Sequence, residues 1–194
     1  MLFIYYIKGI RKMFEIIKVY KQNIDSLRFI GKKYDNANRI NGTFEVKSKW
    51  REWFENRWFE VIEEQISGNP NDIYEDGGAY IGLLRNKDGE LFQYWIGMFV
   101  PMNTEIPESY DYIDFPKSEL GVCWVYGKEK DVSMYEGIEI IEQCNERLTK
   151  EKIHHVHDKD DTCYAFERYV TSRFATPDEK GNIILDVCFF INFH

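Results

Sequence analysis

Cys163-Tyr164-Ala165-Phe166-Glu167-Arg168-Tyr169-Val170 is the stretch on which the reading of this chain turns. Side chains alternate along a strand. Tyr164, Phe166 and Val170 therefore form an apolar face interrupted by Arg168, while Cys163, Ala165, Glu167 and Tyr169 share the other face. A carboxylate buried among rings is costly unless a cation or hydrogen-bond donors meet it. Such a Glu167 suits a cationic or hydrogen-bond-donating ligand, or proton transfer if burial raises its proton affinity. The plainer alternative is an exposed Glu167 paired with a neighbour.

Around this strand the chain reads strand, helix, strand, strand twice. Residues 14–34 hold apolar stretches, Ile16-Ile17 and Leu27 to Ile30, that suggest an opening strand or strand pair. A helix is expected over Glu45 to Ile66, with Val46, Trp50, Trp53, Phe54, Val61 and Ile62 on one face. Gly68-Asn69-Pro70 stops it. The tryptophans there read as core anchors. Strands follow at Ala79 to Leu84 and Leu91 to Val100, joined through an Asp88-Gly89 turn. In the second, Phe92, Tyr94, Ile96, Met98 and Val100 point one way and Leu91, Trp95 and Phe99 the other, so both faces are covered.

The second unit repeats the order. Strands are expected at Tyr110 to Phe115 and Leu120 to Tyr126. A helix over Ser133 to Lys150 carries Met134, Ile138, Ile141, Cys144 and Leu148, with Ser133 and Glu136 as a capping box. Strands at Tyr164 to Thr171 and Ile183 to Phe193 complete it, with a polar turn at residues 178–182. Two such units can join edge to edge into one sheet with both helices on one face. The opposite face then forms a groove across the junction, and junctions between repeated halves are natural ligand sites.

Composition narrows the function classes. The chain has 194 residues, net charge -8 and 16% aromatic residues. An acidic chain without a basic run repels phosphate backbones. So many rings suit a wet or ligand-filled surface as well as a core. Cys123, Cys144, Cys163 and Cys188 form no CxxC pair and read as free thiols in a reducing, cytoplasmic compartment. The apolar run Met1 to Ile7 precedes Lys8, Arg11 and Lys12, the reverse of a secretory signal, and is too short to span a bilayer. Residues 1–13 are read as an N-terminal extension to a domain over 14–194, with half-units at about 14–101 and 108–194.

The segments Tyr94-Trp95-Ile96-Gly97, Val122-Cys123-Trp124-Val125-Tyr126-Gly127, Ala165-Phe166-Glu167-Arg168-Tyr169 and Cys188-Phe189-Phe190-Ile191 together resemble the GyrI-like effector-binding superfamily, which includes the ligand-binding halves of AraC-type and multidrug-sensing MerR-type regulators. The resemblance implies an α+β fold: two βαββ repeats (SHS2 units) related by a pseudo-twofold, one mainly antiparallel sheet, two helices and a central cleft. It implies binding of lipophilic, planar or cationic small molecules, with Glu167, in a Phe-Glu-x-Tyr pattern, meeting the cation. Aromatic walls map onto Trp95 or Tyr94, Trp124 or Tyr126, and Tyr169. Strand parity admits one of each adjacent pair, and Trp124 is favoured beside Glu167.

No room precedes the first strand for a DNA-reading helix-turn-helix, so a stand-alone member without direct DNA or membrane binding is expected. Some stand-alone relatives hydrolyse cyclopropane-bearing electrophiles. The enzyme reading would make Glu167 the group that orients or deprotonates water and Tyr169 a hydroxyl that meets the substrate oxygen, with Trp124 and Trp95 sandwiching a planar substrate. A gyrase-inhibitor type of protein interaction is the third reading, although 25 basic residues interspersed among the acids argue against a DNA mimic.

His154, His155, His157, Asp158, Asp160, Asp161 and Cys163 are metal-ligand types, but their spacing fits no recognised zinc pattern. They read as a solvated loop, so neither metal nor cofactor is expected. Gly77, Gly78 and Gly82 make no dinucleotide fingerprint, and neither a Walker A sequence nor GxSxG occurs.

Overall fold

The computed structural model describes residues 14–35, 39–40, 43–44, 46–69, 71, 74–132 and 139–194. The expected extension 1–13, Glu45, Pro70 and the capping residues Ser133 and Glu136, with Met134 and Ile138, lie outside the described residues.

The chain runs through β1 (Phe14–Ile24), β2 (Leu27–Asp35), the short pair β3 (Arg39–Ile40) and β4 (Thr43–Phe44), α1 (Val46–Glu55), α2 (Trp58–Glu63), β5 (Tyr80–Lys87) and β6 (Gln93–Pro101). It continues through β7 (Asp111–Phe115), β8 (Ser118–Gly127), α3 (Glu129–Val132), α4 (Glu139–Lys150), β9 (Thr162–Tyr169) and β10 (Ile183–Phe193). Eight strands form one sheet in the order β1-β8-β10-β9-β5-β6-β2-β7, every pair antiparallel.

That order is a pseudo-twofold. The run β5-β6-β2 of the first unit repeats as β9-β10-β8 in the second, and the two meet where β5 pairs with β9. The outermost strands cross over: β1 leads into β2 but pairs with β8, and β7 leads into β8 but pairs with β2. This connectivity bends the sheet. Strands β1 and β2 stand six places apart, about 29 Å in a flat sheet. The Asp25-Ser26 link reaches at most about 11 Å. The sheet therefore curls until its ends approach.

Curling gives the sheet an inner and an outer face. The inner face is packed with Leu27, Phe29, Leu83, Trp95, Phe99, Phe115, Leu120, Val122, Phe166 and Phe190. Phe99 meets Phe166 at 5.2 Å and Phe115 stacks on Phe190 at 4.8 Å. The groove expected on the face away from the helices is thus filled at its centre by the protein's own rings. The outer face carries two further clusters, one under α1 and α2 and one under α4.

The expected helix 45–66 is two helices. Arg57 takes a left-handed φ of 55 between them. The break resets the helical phase. Val46, Trp50, Trp53 and Ile62 are buried as expected, Phe59 joins them, and Phe54 and Val61 are exposed. Both strands of the expected hairpin form, turning through Gly89 at φ 80, and Leu91 lies outside the strand and exposed. All four cysteines are free; Cys163 is half-buried and the others are buried. Among the described residues no helix is long and apolar enough to cross a membrane.

The inner face also holds charge. Arg168 and Asp186, cross-strand partners on β9 and β10, are both fully buried. Arg168 donates to Asp186 through Nε and Nη2 at 2.9 and 2.7 Å, and to the Gln22 side-chain amide oxygen Oε1 at 2.9 Å. Arg173 grips Asp76 with two hydrogen bonds of 3.0 and 2.7 Å and also donates to Asp186. Burial alone would raise the Asp76 pKa, but the Arg173 hydrogen bonds and the charges of Arg168, Arg173 and Lys18 outweigh it and hold the carboxyl below the usual aspartate value.

Two outcomes are expected. Asp186→Ala strands a buried guanidinium and should cost about 3–5 kcal/mol in urea unfolding. Because the folded pKa of Asp76 is depressed, its contribution is complete above the ordinary value of about 3.9 and drains away as pH falls through the lower folded value. Asp76→Asn should therefore lose stability at neutral pH and show a flatter decline below about pH 4 than wild type.

Candidate functional site

Register alone assigns faces at the seam. Glu167 stands opposite Val187 on one side and Gly82 on the other; Val187 faces Cys123, and Gly82 faces Ile96. Val187 and Cys123 pack under α4, and Ile96 packs under α1 and α2. Glu167 therefore points to the outer face, between the two helical layers, and it is 0% exposed.

A buried carboxylate needs donors, and tyrosines supply them. The hydroxyls of Tyr94 and Tyr169 each donate to Glu167 Oε2 at 2.9 Å. Tyr94 comes from β6 of the first unit and Tyr169 from β9 itself. The Trp50 indole N–H of α1 donates to the Tyr94 hydroxyl at 3.0 Å, and the Trp50 ring lies 4.6 Å from that of Tyr169. Phe174 closes edge-on against Tyr169 at 4.7 Å. Tyr169 packs against both outer clusters, so it bridges the two units.

Space for this convergence comes from Gly82. A Cβ there would sit 2.1 Å from the Tyr94 hydroxyl oxygen and 2.9 Å from Glu167 Oε2. Only a residue without a side chain lets both groups meet across β5. Two residues away on the same face, Tyr80 stacks on Phe59 of α2 at 3.7 Å with an 8° tilt. Burial, then the Glu63 carboxylate that accepts its hydroxyl, pushes Tyr80 up to about 12.

The structure brings together three of the six ligand candidates: Glu167, Tyr94 and Tyr169. Trp95, Trp124 and Tyr126 lie on the inner-face side of their strands. Trp95 is in the inner core and donates to Gln93 at 3.1 Å. Trp124 does not stand beside Glu167, because Cys123 and Val125 are the residues of β8 that face α4. Its ring instead meets Tyr20 edge-on at 6.2 Å, with the Lys18 ammonium 4.2 Å and the Arg173 guanidinium 4.9 Å from its centre. Tyr126 donates to Asp178 at 2.6 Å and accepts from Asn182 at 2.7 Å, pinning the turn before β10. Trp124 and Tyr126 are two apart rather than adjacent, so parity puts both on one face and both fall away from Glu167. Trp50 and Gly82 carry the site without having been selected from sequence. Their signal is a cross-element contact, which single-segment periodicity does not contain.

An open cleft of about 720 Å³ also exists at the rim of the inner face, lined by Met102, Ile113, Phe115, Tyr164, Phe193 and others. Glu167 does not line it.

Removal of one hydroxyl tests the network. Tyr94→Phe takes a donor from a buried carboxylate and the acceptor from Trp50, and should cost about 1–3 kcal/mol in urea unfolding. Combined with Glu167→Gln, the losses should fall short of additivity by about 0.5–3 kcal/mol. Simple additivity would mean the two groups are not coupled.

No family model matches the sequence, and no curated protein does. Solved structures do match. A protein provisionally assigned to bacterial transcription regulation, from Staphylococcus aureus, is 16% identical, with 90% of this chain and 98% of its own covered at a TM-score of 0.58. SAV2435, solved bound to tetraphenylphosphonium, is 16% identical over 91% of this chain and 94% of its own, with a TM-score of 0.61. EcmrR, seen in a cryo-EM complex with DNA, is 8% identical at a TM-score of 0.52; 91% of this chain covers 57% of that one. At such identities the likeness is one of fold: the chain shares the α+β fold of these structures, in line with the fold that its resemblance to GyrI-like domains implies.

Proposed function

We propose that this chain binds lipophilic, planar or cationic small molecules at the seam between its two units, with Glu167 as the counter-charge and Trp50, Tyr94 and Tyr169 as the ring wall. The observation that carries this reading is the fully buried carboxylate ringed by aromatic side chains from three elements. An aromatic cation such as tetraphenylphosphonium, which SAV2435 holds, asks for two things of a site: ring faces for its apolar surface and a negative group for its charge. The seam has both.

The carboxylate lies closed off, so a ligand reaches it by parting the rings. The Trp50–Tyr169 contact is the natural gate, because it joins α1 of one unit to β9 of the other. Opening costs contact energy that the ligand's own ring contacts replace. Selectivity for cations follows, since a neutral ligand of equal shape gains nothing from Glu167.

The enzyme reading keeps one supporting observation. The Tyr169 hydroxyl and Glu167 Oε2 stand at 2.9 Å, an acid–base pair of the kind that could deliver a proton to an opening ring while water attacks.

One set of measurements separates these. Titration calorimetry with tetraphenylphosphonium and with the neutral triphenylphosphine oxide should show a preference for the cation. Glu167→Gln should erase that preference, weakening cation binding by about tenfold or ~1.4 kcal/mol while leaving the neutral compound unaffected. Trp50→Ala should weaken both. An unchanged cation affinity in Glu167→Gln would remove the counter-charge from the proposal. Mass spectrometry of a strained cyclopropane electrophile after incubation reads the alternative: a hydrated product from wild type and none from Glu167→Gln marks catalysis.

A further inference from the structure

The loop between α4 and β9 is held more firmly than a solvated connection needs to be. Helix α4 ends in a double cap: Ile153 N–H donates to the Leu148 carbonyl and Lys152 N–H to that of Thr149, both at 3.0 Å. Lys152 takes the left-handed φ of 62 that this cap requires. Ile153 is then buried with Leu148 in the core under α4. Val156 N–H donates to the Phe190 carbonyl of β10 at 2.9 Å, and His157 forms an antiparallel bridge with Cys163. Asp158 closes the turn by accepting the Asp160 and Thr162 N–H groups, each at 2.9 Å.

Alternation along this extended segment sends His155 and His157 to the same side, and the bridge sets Cys163 across from His157. Among the described residues these three are the one set of three metal-ligating side chains whose ligand atoms all lie within 4.8 Å of one another. Both imidazoles have an oxygen partner on Nδ1. His157 Nδ1 is 2.7 Å from Asp161 Oδ1, and His155 Nδ1 is 3.0 Å from Asn145 Oδ1. An oxygen acceptor holds the ring proton on Nδ1 and leaves Nε2 as a lone-pair donor, which is how ligating histidines are oriented in metal sites. Asp161 reaches its position through a left-handed φ of 59.

We propose that His155, His157 and Cys163 bind a thiophilic divalent cation of the zinc type. Two imidazoles and a thiolate form a borderline-soft donor set, which suits zinc over calcium or magnesium. Donor atoms around a tetrahedral zinc stand about 3.3–3.7 Å apart, given metal–nitrogen and metal–sulfur bonds of about 2.0–2.1 and 2.3 Å. Closing from the present spacing takes a shift of about 1 Å, and His157, with 49% of its side chain exposed, has room to make it. The Cys163 thiol gives its proton to solvent as the sulfur–metal bond forms. Water or an outside donor fills the fourth position. Asp158, Asp160 and Asp161 add a negative field at the mouth. The ion would staple the loop to β9 four residues ahead of Glu167, and this holds whether or not the seam binds a ligand.

Cobalt substitution of the full chain, stripped with a chelator, tests it. Wild type should take up stoichiometric Co²⁺, displaced by Zn²⁺, with a thiolate-to-cobalt charge-transfer band in the near ultraviolet. Cys163→Ser should lose that band. Asp161→Asn, which tolerates the left-handed backbone, should bind about 10–100-fold more weakly with its metal-free thermal midpoint unchanged. A wild-type cobalt spectrum without the thiolate band, or uptake no greater than that of His157→Gln, overturns the site.

Discussion

Glu167 and Arg168 are adjacent, oppositely charged and both fully buried, yet they cannot neutralise each other. Strand alternation sends one to the outer face and the other to the inner face, with the sheet between them. Each charge must then find its own partners, and the rest of the molecule is arranged to provide them. On the inner face the partners are Asp186, Gln22 and, with Arg173, Asp76. On the outer face they include two tyrosine hydroxyls. The two solutions differ in kind. Arg168 is met by formal charges and amide oxygen drawn from β1, β10 and the loops beside β9, a fixed clamp that ties those segments together. Glu167 is met by the tyrosine hydroxyls of β6 and β9, which join the two units at the seam.

The seam is also where the two units have to agree. Pairing of β5 with β9 places Gly82 opposite Glu167, and the missing side chain at Gly82 admits the Tyr94 hydroxyl from β6. Trp50 then fixes Tyr94 from above and covers Tyr169. A carboxylate from one half thus accepts from a phenol of the other, and that phenol is held in turn by an indole of its own half. Internal repetition accounts for this placement: equivalent edges, β5 and β9, meet at the pseudo-twofold, so side chains of both halves converge there.

Curvature decides which surfaces remain for function. The crossover of β1 and β7 forces the sheet to curl, and curling turns the inner face into a core crowded with phenylalanine. Trp95 joins that core. Trp124, chosen as a ligand wall for its place in an aromatic strand, becomes a platform for Lys18 and Arg173 instead. On the outer face Glu167 lies along the seam between the two helical layers, buried beneath Tyr169 and Trp50.

The sequence by itself determined the alternation in β6 and β9, the two turns of units, the hairpin through Asp88-Gly89 and the oddity of an acid within an aromatic strand. These are local properties, fixed by the pleat and by the conformational freedom of single residues. It also set Glu167 and Tyr169 on one face, since they are two apart. Only the tertiary structure decided that this face lies beneath the helices, that the aromatic partners are Trp50 and Tyr94 rather than Trp124, and that Gly82 makes room for them. Those facts depend on pairing between strands distant in the chain, on the crossover that curls the sheet and on the left-handed break at Arg57 that resets the helix face. None of these leaves a periodic trace in any one segment, because each arises from contacts between segments.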